Sequence, residues 1–85
     1  MSVVWKFPLP HPRTVLSMPK YARVLTAGVQ EDHIVIWAQV IPAQPPEHRV
    51  FNVFNTGEQL PEDVRDWVGT VQIGPIVWHI YEVAS

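Results

Sequence analysis

Nine prolines in 85 residues restrict this chain more than any other feature of its sequence. Proline fixes the backbone angle φ and removes a hydrogen-bond donor, so a long helix or a central strand cannot run through it. Two groups of three prolines lie within residues 8–12 and 42–46. The segments between prolines are short and rich in β-branched and aromatic residues, which is typical of strands. A mainly β fold is therefore predicted.

The strand prediction covers seven extended segments, residues 3–7, 13–18, 23–30, 33–41, 49–55, 69–73 and 76–83. Gly74-Pro75 predicts a type II′ hairpin, because glycine supplies the positive φ at the first turn position and proline tolerates the second. Residues 23–30 and 33–41 predict a second hairpin closed around Glu31-Asp32. This pair matches the preferred two-residue turns poorly, so a loop longer than two residues is the alternative.

Residues 61–68 are the only segment with a helical pattern. Pro61 suits the first helical position, and Val64, Trp67 and Val68 fall on one face of a helix. We therefore predict a single domain over residues 1–85. It is a small antiparallel sheet or barrel-like domain of five to seven strands, with one short helix near residues 61–68.

Apolar residues are in surplus for so small a chain. They make up 47% of it and charged residues 16%, whereas typical domains carry about 25% charged residues. Segments 33–41 and 76–83 are apolar on both faces, and such strands must be covered on both. One short helix cannot cover a sheet, so either the sheet curls into a barrel-like form or a second protomer covers it. The pattern favours a homo-oligomer.

Charge and cysteine content exclude several classes of partner and chemistry. The net charge is −2 and the six Lys and Arg residues are scattered, which argues against nucleic-acid binding. The absence of cysteine removes disulfides, thiolate zinc sites and cysteine nucleophiles. No apolar run is long enough for a membrane helix, and the first residues carry no signal-peptide pattern. We expect a cytoplasmic protein that does not associate with membranes.

The sequence offers little material for catalysis or metal binding. It contains no Gly-x-Ser-x-Gly motif and no glycine-rich phosphate loop, and its acidic residues cluster in turn-like segments. His79 and Glu82 are three residues apart, so in a strand they point to opposite faces and cannot chelate one ion. We therefore predict a protein that is not an enzyme and has no metal or cofactor.

Binding chemistry is better represented. Trp5 is the tryptophan expected to be most exposed, whereas Trp37, Trp67 and Trp78 are expected in the core. Lys6, Arg13 and Arg49 lie in or beside predicted strands, where a cation can meet a carboxylate or phosphate. The candidate ligand-binding residues are Trp5, Lys6, Arg13, Arg49 and His79. For the histidine, the simpler interpretation is a half-buried ring hydrogen-bonded to its neighbours.

Several fragments follow one another in a characteristic order and span nearly the whole chain. They are Val4-Trp5-Lys6-Phe7-Pro8-Leu9, Met18-Pro19, Val24-Leu25, Val29-Gln30, Ile36-Trp37-Ala38-Gln39-Val40, Arg49-Val50-Phe51, Thr56-Gly57, Gly69-Thr70-Val71-Gln72 and Val77-Trp78-His79-Ile80-Tyr81-Glu82. Together they resemble a family of small proteins encoded mainly by tailed bacteriophages and prophages. The resemblance implies a phage accessory protein that acts in the host cytoplasm, and it implies no reaction and no catalytic residues.

These observations lead to a ranked set of functional hypotheses. The first is a non-enzymatic, oligomeric anti-defence protein that sequesters a nucleotide-type immune signal of the host at a subunit interface. The second is an interaction module that inhibits a host protein through a strand edge or the proline segment. The third is a virion-associated structural protein, and an enzyme ranks last.

Overall fold

The computed structural model describes residues 1–85 and consists of seven strands without a helix. The strands are β1 Val3–Pro8, β2 Arg13–Pro19, β3 Arg23–Gln30, β4 His33–Val40, β5 Pro46–Asn55, β6 Val64–Ile73 and β7 Ile76–Val83. The predicted all-antiparallel β fold is confirmed. The structure contains no helix able to span a membrane.

The strands form two sheets, and every paired strand is antiparallel to its neighbour. One sheet has the order β1-β4-β3 and the other the order β2-β5-β7-β6. The edge strands β3 and β6 approach closely, since a Cβ atom added at Gly69 would lie 3.0 Å from the Cβ atom of Ala27. No ladder joins β3 to β6, so the sheets form an open two-layer structure and the barrel does not close.

The predicted helix at residues 61–68 is wrong. Glu62 and Asp63 form a turn, and the chain enters β6 at Val64. The pairing of β6 with β7 is irregular on both sides of Trp67, so the three-residue spacing that resembled a helix belongs to a bulged strand. Valine and tryptophan favour strands, and β7 supplies hydrogen-bond partners that a lone helical turn would lack.

Both predicted hairpins form, each with a two-residue turn. Ile73 pairs with Ile76 across Gly74-Pro75, and Gly74 has a φ of 57°, which confirms the first. The hairpin around Glu31-Asp32 is confirmed and the alternative of a longer loop is wrong, because β3 and β4 are joined by these two residues alone. Their φ values are 52° and 64°, as in a type I′ turn. The right-handed twist of the paired strands favours a type I′ turn, and this outweighs the poor match of Glu31 and Asp32 to the residues that such turns prefer.

The core lies between the two sheets. Its fully buried side chains come from both layers, with Ile36 and Val40 on β4, Met18 on β2, Phe51 on β5 and Ile80 on β7. Alternation along each strand directs these residues inward. The core therefore accounts for one of the two apolar faces that residues 33–41 and 76–83 present.

The second apolar face of β7 is covered by the chain itself. Strands β5 and β6 lie on either side of β7 and run parallel to each other, so residues 56–63 must cross β7 from end to end. Thr56 contacts His79, which places this crossover segment over the outer face. Phe54 and Val83 lie on that face and are 5% and 2% exposed. No second protomer is needed to bury them.

Candidate ligand-binding face

The outer face of the three-stranded sheet is not crossed by any connecting segment of the chain. Side chains alternate along each strand, so the pairing register defines which residues share this face. They are Val4, Lys6, Pro8, Arg23, Thr26, Gly28, Gln30, His33, Val35, Trp37 and Gln39. We call this surface the Trp37 face, after the residue at its centre.

The position of Trp37 depends on a glycine in the neighbouring strand. A Cβ atom added at Gly28 of β3 would lie 2.7 Å from Cζ3 of the Trp37 ring, which is closer than non-bonded carbon atoms approach. The missing side chain at Gly28 therefore allows the ring to lie across β3. The ring remains partly exposed, so it offers a surface on which another planar ring can stack.

Lys6 lies directly opposite Trp37, on β1. Its Nζ atom donates a hydrogen bond of 2.8 Å to Oε1 of Gln30 on β3, so the side chain passes over β4. The aliphatic part of Lys6 thereby covers Val35, which is 3% exposed although no further layer lies above it. The ammonium group stays at the solvent-facing surface, where it can attract an anion.

A cavity of about 530 Å³ opens beside this lysine. Its walls are Lys6, Pro8, Gln30, Glu31, His33 and Val35. The type I′ turn positions it, because a two-residue connection sets His33 directly opposite Gln30. The volume falls in the range of about 300–1,000 Å³ that is usual for small-molecule sites.

The Trp37 face itself carries two cations and no anion. Lys6 and Arg23 are positively charged, and His33 adds a ring that accepts a hydrogen bond when neutral and donates two when protonated. Glu31 is the one acidic residue in the wall of the cavity. The two glutamine amides of the face can both donate and accept. The face can therefore stack a ring, attract negative charge and hydrogen-bond a polar edge.

A smaller cleft of about 230 Å³ lies at the adjoining end of the molecule. His33 belongs to its wall as well, together with His11, Asp32 and the half-buried Trp78. Residues 9–12 of the proline segment line it, and they connect β1 to β2 with a bend at His11 and Pro12. No group of three or more His, Asp or Glu side chains is arranged to hold a metal ion.

Arg49 was a predicted phosphate ligand, but its guanidinium group is already occupied. Nε and Nη2 each donate a 2.7 Å hydrogen bond to the Glu82 carboxylate, and Nη1 donates to the carbonyl of Ala22. The hydrogen bond to Glu82 raises the pKa of Arg49, burial partly opposes this, and the charges of Glu82, Glu47 and Asp66 add to the increase. The pair connects β5 and β7 to the start of β3.

His79 is held by two hydroxyl groups on the outer face of the other sheet. Its Nε2 atom lies 2.8 Å from Oγ1 of Thr56, and its Nδ1 atom lies 3.0 Å from Oγ1 of Thr70. Trp67 donates from Nε1 to the same Thr70 oxygen at 3.2 Å. Hydroxyl groups donate or accept, so this network satisfies both tautomers of the ring. These contacts fit the interpretation of a half-buried, hydrogen-bonded histidine.

The five predicted ligand residues do not meet at one site. Trp5 follows the alternation of β1 and points away from the Trp37 face, with its ring 6.3 Å from that of Phe7. Arg13 is exposed at the start of β2, in the other sheet. Of the five, Lys6 alone lies on the Trp37 face.

Sequence reasoning missed the central residue of this face. Trp37 was expected in the core together with Trp67 and Trp78, and Trp5 was expected to be the most exposed. Trp67 is in fact 60% exposed and Trp5 is 42% exposed, so Trp67 is not a core residue and Trp5 is exposed but is not the most exposed tryptophan. The signal that could have found Trp37 is the register of the hairpin around Glu31-Asp32, because a two-residue turn there sets Gly28 next to Trp37.

Comparison with known proteins gives one match. The sequence profile of a family described as a domain of unknown function (DUF7352) matches residues 1–85. The chain matches no curated protein and no solved structure.

Proposed function

Because the chain belongs to the DUF7352 family of domains of unknown function, we propose its function from the geometry. The protein is a non-enzymatic binding protein that holds a nucleotide-type small molecule on the Trp37 face. The observation that carries this proposal is the Trp37 ring, which Gly28 seats beside Lys6 on a face that the chain leaves uncovered.

The chemistry of the face matches the parts of such a ligand. A base can stack on the exposed part of the Trp37 ring, and stacking of this kind contributes about 1–3 kcal/mol per base. Phosphate groups can meet the ammonium of Lys6 and the guanidinium of Arg23. The amides of Gln30 and Gln39 suit the polar edges of a base or a ribose. The same face of the sheet thus carries the ring, the cations and the hydrogen-bonding groups.

The resemblance to phage-encoded proteins supports a biological role for this binding. A phage protein that binds a nucleotide signal of host immunity, and releases it unchanged, would lower the concentration of that signal in the cytoplasm. Our proposal is therefore an anti-defence protein that sequesters its ligand and does not consume it.

Ligand recovery tests the proposal directly. The purified protein is incubated with cyclic dinucleotides and with ADP-ribose-type molecules, separated from free ligand by filtration, and heated to release what it holds. We expect one of these ligands to be recovered intact in stoichiometric amount. Release of a converted product would contradict sequestration, and retention of none of them would contradict nucleotide binding.

Matched tryptophan variants place the ligand on the molecule. We expect Trp37→Ala to weaken ligand binding at least tenfold, because it removes the stacking surface. Trp67→Ala removes a more exposed tryptophan from the other sheet and should leave ligand binding unchanged. Equal losses in both variants would show that the ligand does not bind on the Trp37 face.

A protein partner is the second candidate, and a different surface favours it. Trp67 and Leu25 are 60% and 44% exposed and line a cleft of about 330 Å³ where the irregular parts of β3 and β6 meet. Arg23 and Asp66 belong to the same cleft. Exposed tryptophan beside charged residues is typical of interaction hot spots. A partner captured from host lysate by the wild type and by Trp37→Ala, but not by Trp67→Ala, would support this candidate.

A further inference from the structure

β1 is an edge strand that almost nothing covers. It pairs with β4 on one side only, and its residues Val3, Val4 and Trp5 are 37%, 58% and 42% exposed. These residues alternate between the two faces of the strand, so both faces expose apolar side chains. Most proteins protect such an edge with charge, proline or a covering element, because its free backbone groups can pair with another strand.

The hydrogen-bond pattern shows which backbone groups of β1 are free. Leu9, directly after the strand, donates its amide to the carbonyl of Ile34 at 2.9 Å. Hydrogen-bonded residues alternate in an antiparallel ladder, so the odd-numbered residues of β1 bond to β4. The amides and carbonyls of Val4 and Lys6 therefore point to the free edge. Pro8 also points there, and it has no amide hydrogen to offer.

We infer that β1 pairs antiparallel with β1 of a second copy of this chain, about a two-fold axis at Trp5. In this register Val4 of each copy stands opposite Lys6 of the other, so both free amides of each copy meet free carbonyls. The Trp5 rings of the two copies become direct cross-strand neighbours, an arrangement in which aromatic pairs are stabilising. The free groups of β1 are thus complementary to themselves.

Of the other edge strands, β3 and β6 lie close against each other, and β2 is less suited to this pairing. β2 exposes Val15, which is 56% exposed, but its Thr14 and Met18 are buried in the core. It therefore has apolar surface to bury on one face only, whereas β1 has it on both. The second copy is assigned to β1 for this reason.

Pairing through β1 joins the two three-stranded sheets into one sheet of six strands. Because Val4 and Lys6 lie on the Trp37 face, the Trp37 faces of the two copies become continuous, with the two Lys6 side chains as diagonal neighbours across the axis. The inference rests on the backbone edge of β1 and holds whatever ligand the face binds.

Proline variants of the two free edges test the interface. Val4→Pro removes an amide that does not bond to β4, and Pro8 shows that β1 accepts proline at such a position. Val15→Pro is the matched control, because the Val53-to-Pro12 hydrogen bond places the amide of Val15 on the free edge of β2. We expect light scattering to give twice the 9.7 kDa chain mass for the wild type and for Val15→Pro. Val4→Pro should associate at least tenfold more weakly.

A wild type that scatters as a single chain at about 100 μM, far above the Kd of a stable dimer, would overturn the inference. Equal loss of association in both proline variants would also overturn it.

Cysteine cross-linking tests the register and remains decisive if a proline variant does not fold. The chain has no cysteine, so each single variant reports one position. The Cα atoms of opposed Trp5 residues would lie about 4.5 Å apart, within the range that a disulfide spans. We expect Trp5→Cys to form a covalent dimer on oxidation, and Val3→Cys to form none because its counterpart lies four residues away along the strand. Cross-linking of Val3→Cys but not of Trp5→Cys would exclude this register.

Discussion

At Gly28 the absence of a single carbon atom decides where an aromatic ring lies. A Cβ atom at this position would come within 2.7 Å of the Trp37 ring. The ring would therefore have to shift, and overpacking of this kind lowers the stability of a fold by about 1–3 kcal/mol. We expect Gly28→Ala to lower the free energy of unfolding by about 1 kcal/mol, since the partly exposed ring has room to move. Urea unfolding followed by tryptophan fluorescence measures both the loss and the changed environment of the ring.

A double-mutant cycle assigns that loss to the contact. In a Trp37→Leu background the added methyl group meets a smaller side chain, so Gly28→Ala should cost at most half as much as it does in the wild type. An unchanged cost in that background would mean that the backbone conformation of Gly28, and not the ring, requires glycine.

Arg49 and Glu82 form the ion pair whose removal should be most damaging. Their side chains are 18% and 15% exposed, and Glu82→Gln would leave the guanidinium group partly buried without its counter-charge. We expect a loss of about 2 kcal/mol, below the 3–5 kcal/mol typical of fully buried pairs. Replacing both residues, as in Arg49→Met with Glu82→Leu, should cost less than Glu82→Gln alone. Urea denaturation of the three proteins measures the difference.

The direction of the pKa shift fixes how the contribution of Arg49 depends on pH. The pKa of Arg49 is raised, first by the hydrogen bond to Glu82. A group whose pKa rises on folding stabilises the fold fully below its ordinary pKa and loses this effect only as the pH rises through the higher value. Between about pH 5 and about pH 9 the arginine stays charged in both states. We therefore expect the ionisation of Arg49 to add no pH dependence, across that interval, to the difference in unfolding free energy between wild type and Arg49→Met.

The turn between β3 and β4 is the element in which sequence and backbone disagree most. Glu31 and Asp32 both have positive φ, a conformation that costs an ordinary L-residue roughly 1 kcal/mol. Asn-Gly is the preferred pair for a type I′ turn. Glu31→Asn with Asp32→Gly should therefore raise the free energy of unfolding by about 1 kcal/mol. A melting temperature that stays the same or falls would show that the original side chains make compensating contacts.

Much of the element order was predictable because strands are short-range features. Residues 23–30 and 76–83 are strands over the predicted bounds, since proline, glycine and alternating β-branched residues mark their ends locally. The helix predicted near residues 61–68 is wrong because residues 64–68 form the first half of β6, where the pairing with β7 is bulged. Pairing between distant segments is not encoded in the spacing of one segment, so the helical pattern prevailed in the prediction.

The candidate site was less predictable than the strands, for the same reason. The prediction selected residues by chemical type, and Lys6 is the one that lies on the Trp37 face. Trp37 becomes a site residue only through its neighbour Gly28 on another strand. Arg49 ceased to be a candidate only through Glu82, which is 33 residues away in sequence. A binding face on a sheet is a property of the register, and the register depends on pairing between segments that are distant in the sequence.

At the scale of the whole molecule, the surplus of apolar strand faces has two different solutions. The chain covers the outer face of β7 with its own crossover segment, residues 56–63, and this segment was not anticipated as a cover. It leaves the outer face of the three-stranded sheet without a covering segment, and there Lys6 and Trp37 shield Val35. Part of the surplus remains exposed at β1, where Val3, Val4 and Trp5 lie at the proposed interface.

If two copies share one six-stranded sheet, folding and association are linked, and thermal stability must depend on protein concentration. A tenfold increase in concentration adds about 1.4 kcal/mol per mole of dimer. Divided by the unfolding entropy of 170 residues, twice the chain length, this is an increase of about 4 °C in the melting temperature. Val15→Pro should show the same dependence, because its substitution lies on the free edge of β2. Val4→Pro should show a smaller increase over the same concentrations, since its β1 edge lacks a donor that the pairing needs and it associates more weakly. A wild-type melting temperature that does not move between about 5 μM and about 500 μM, concentrations spanning the micromolar Kd range, would separate folding from association and refute the shared sheet.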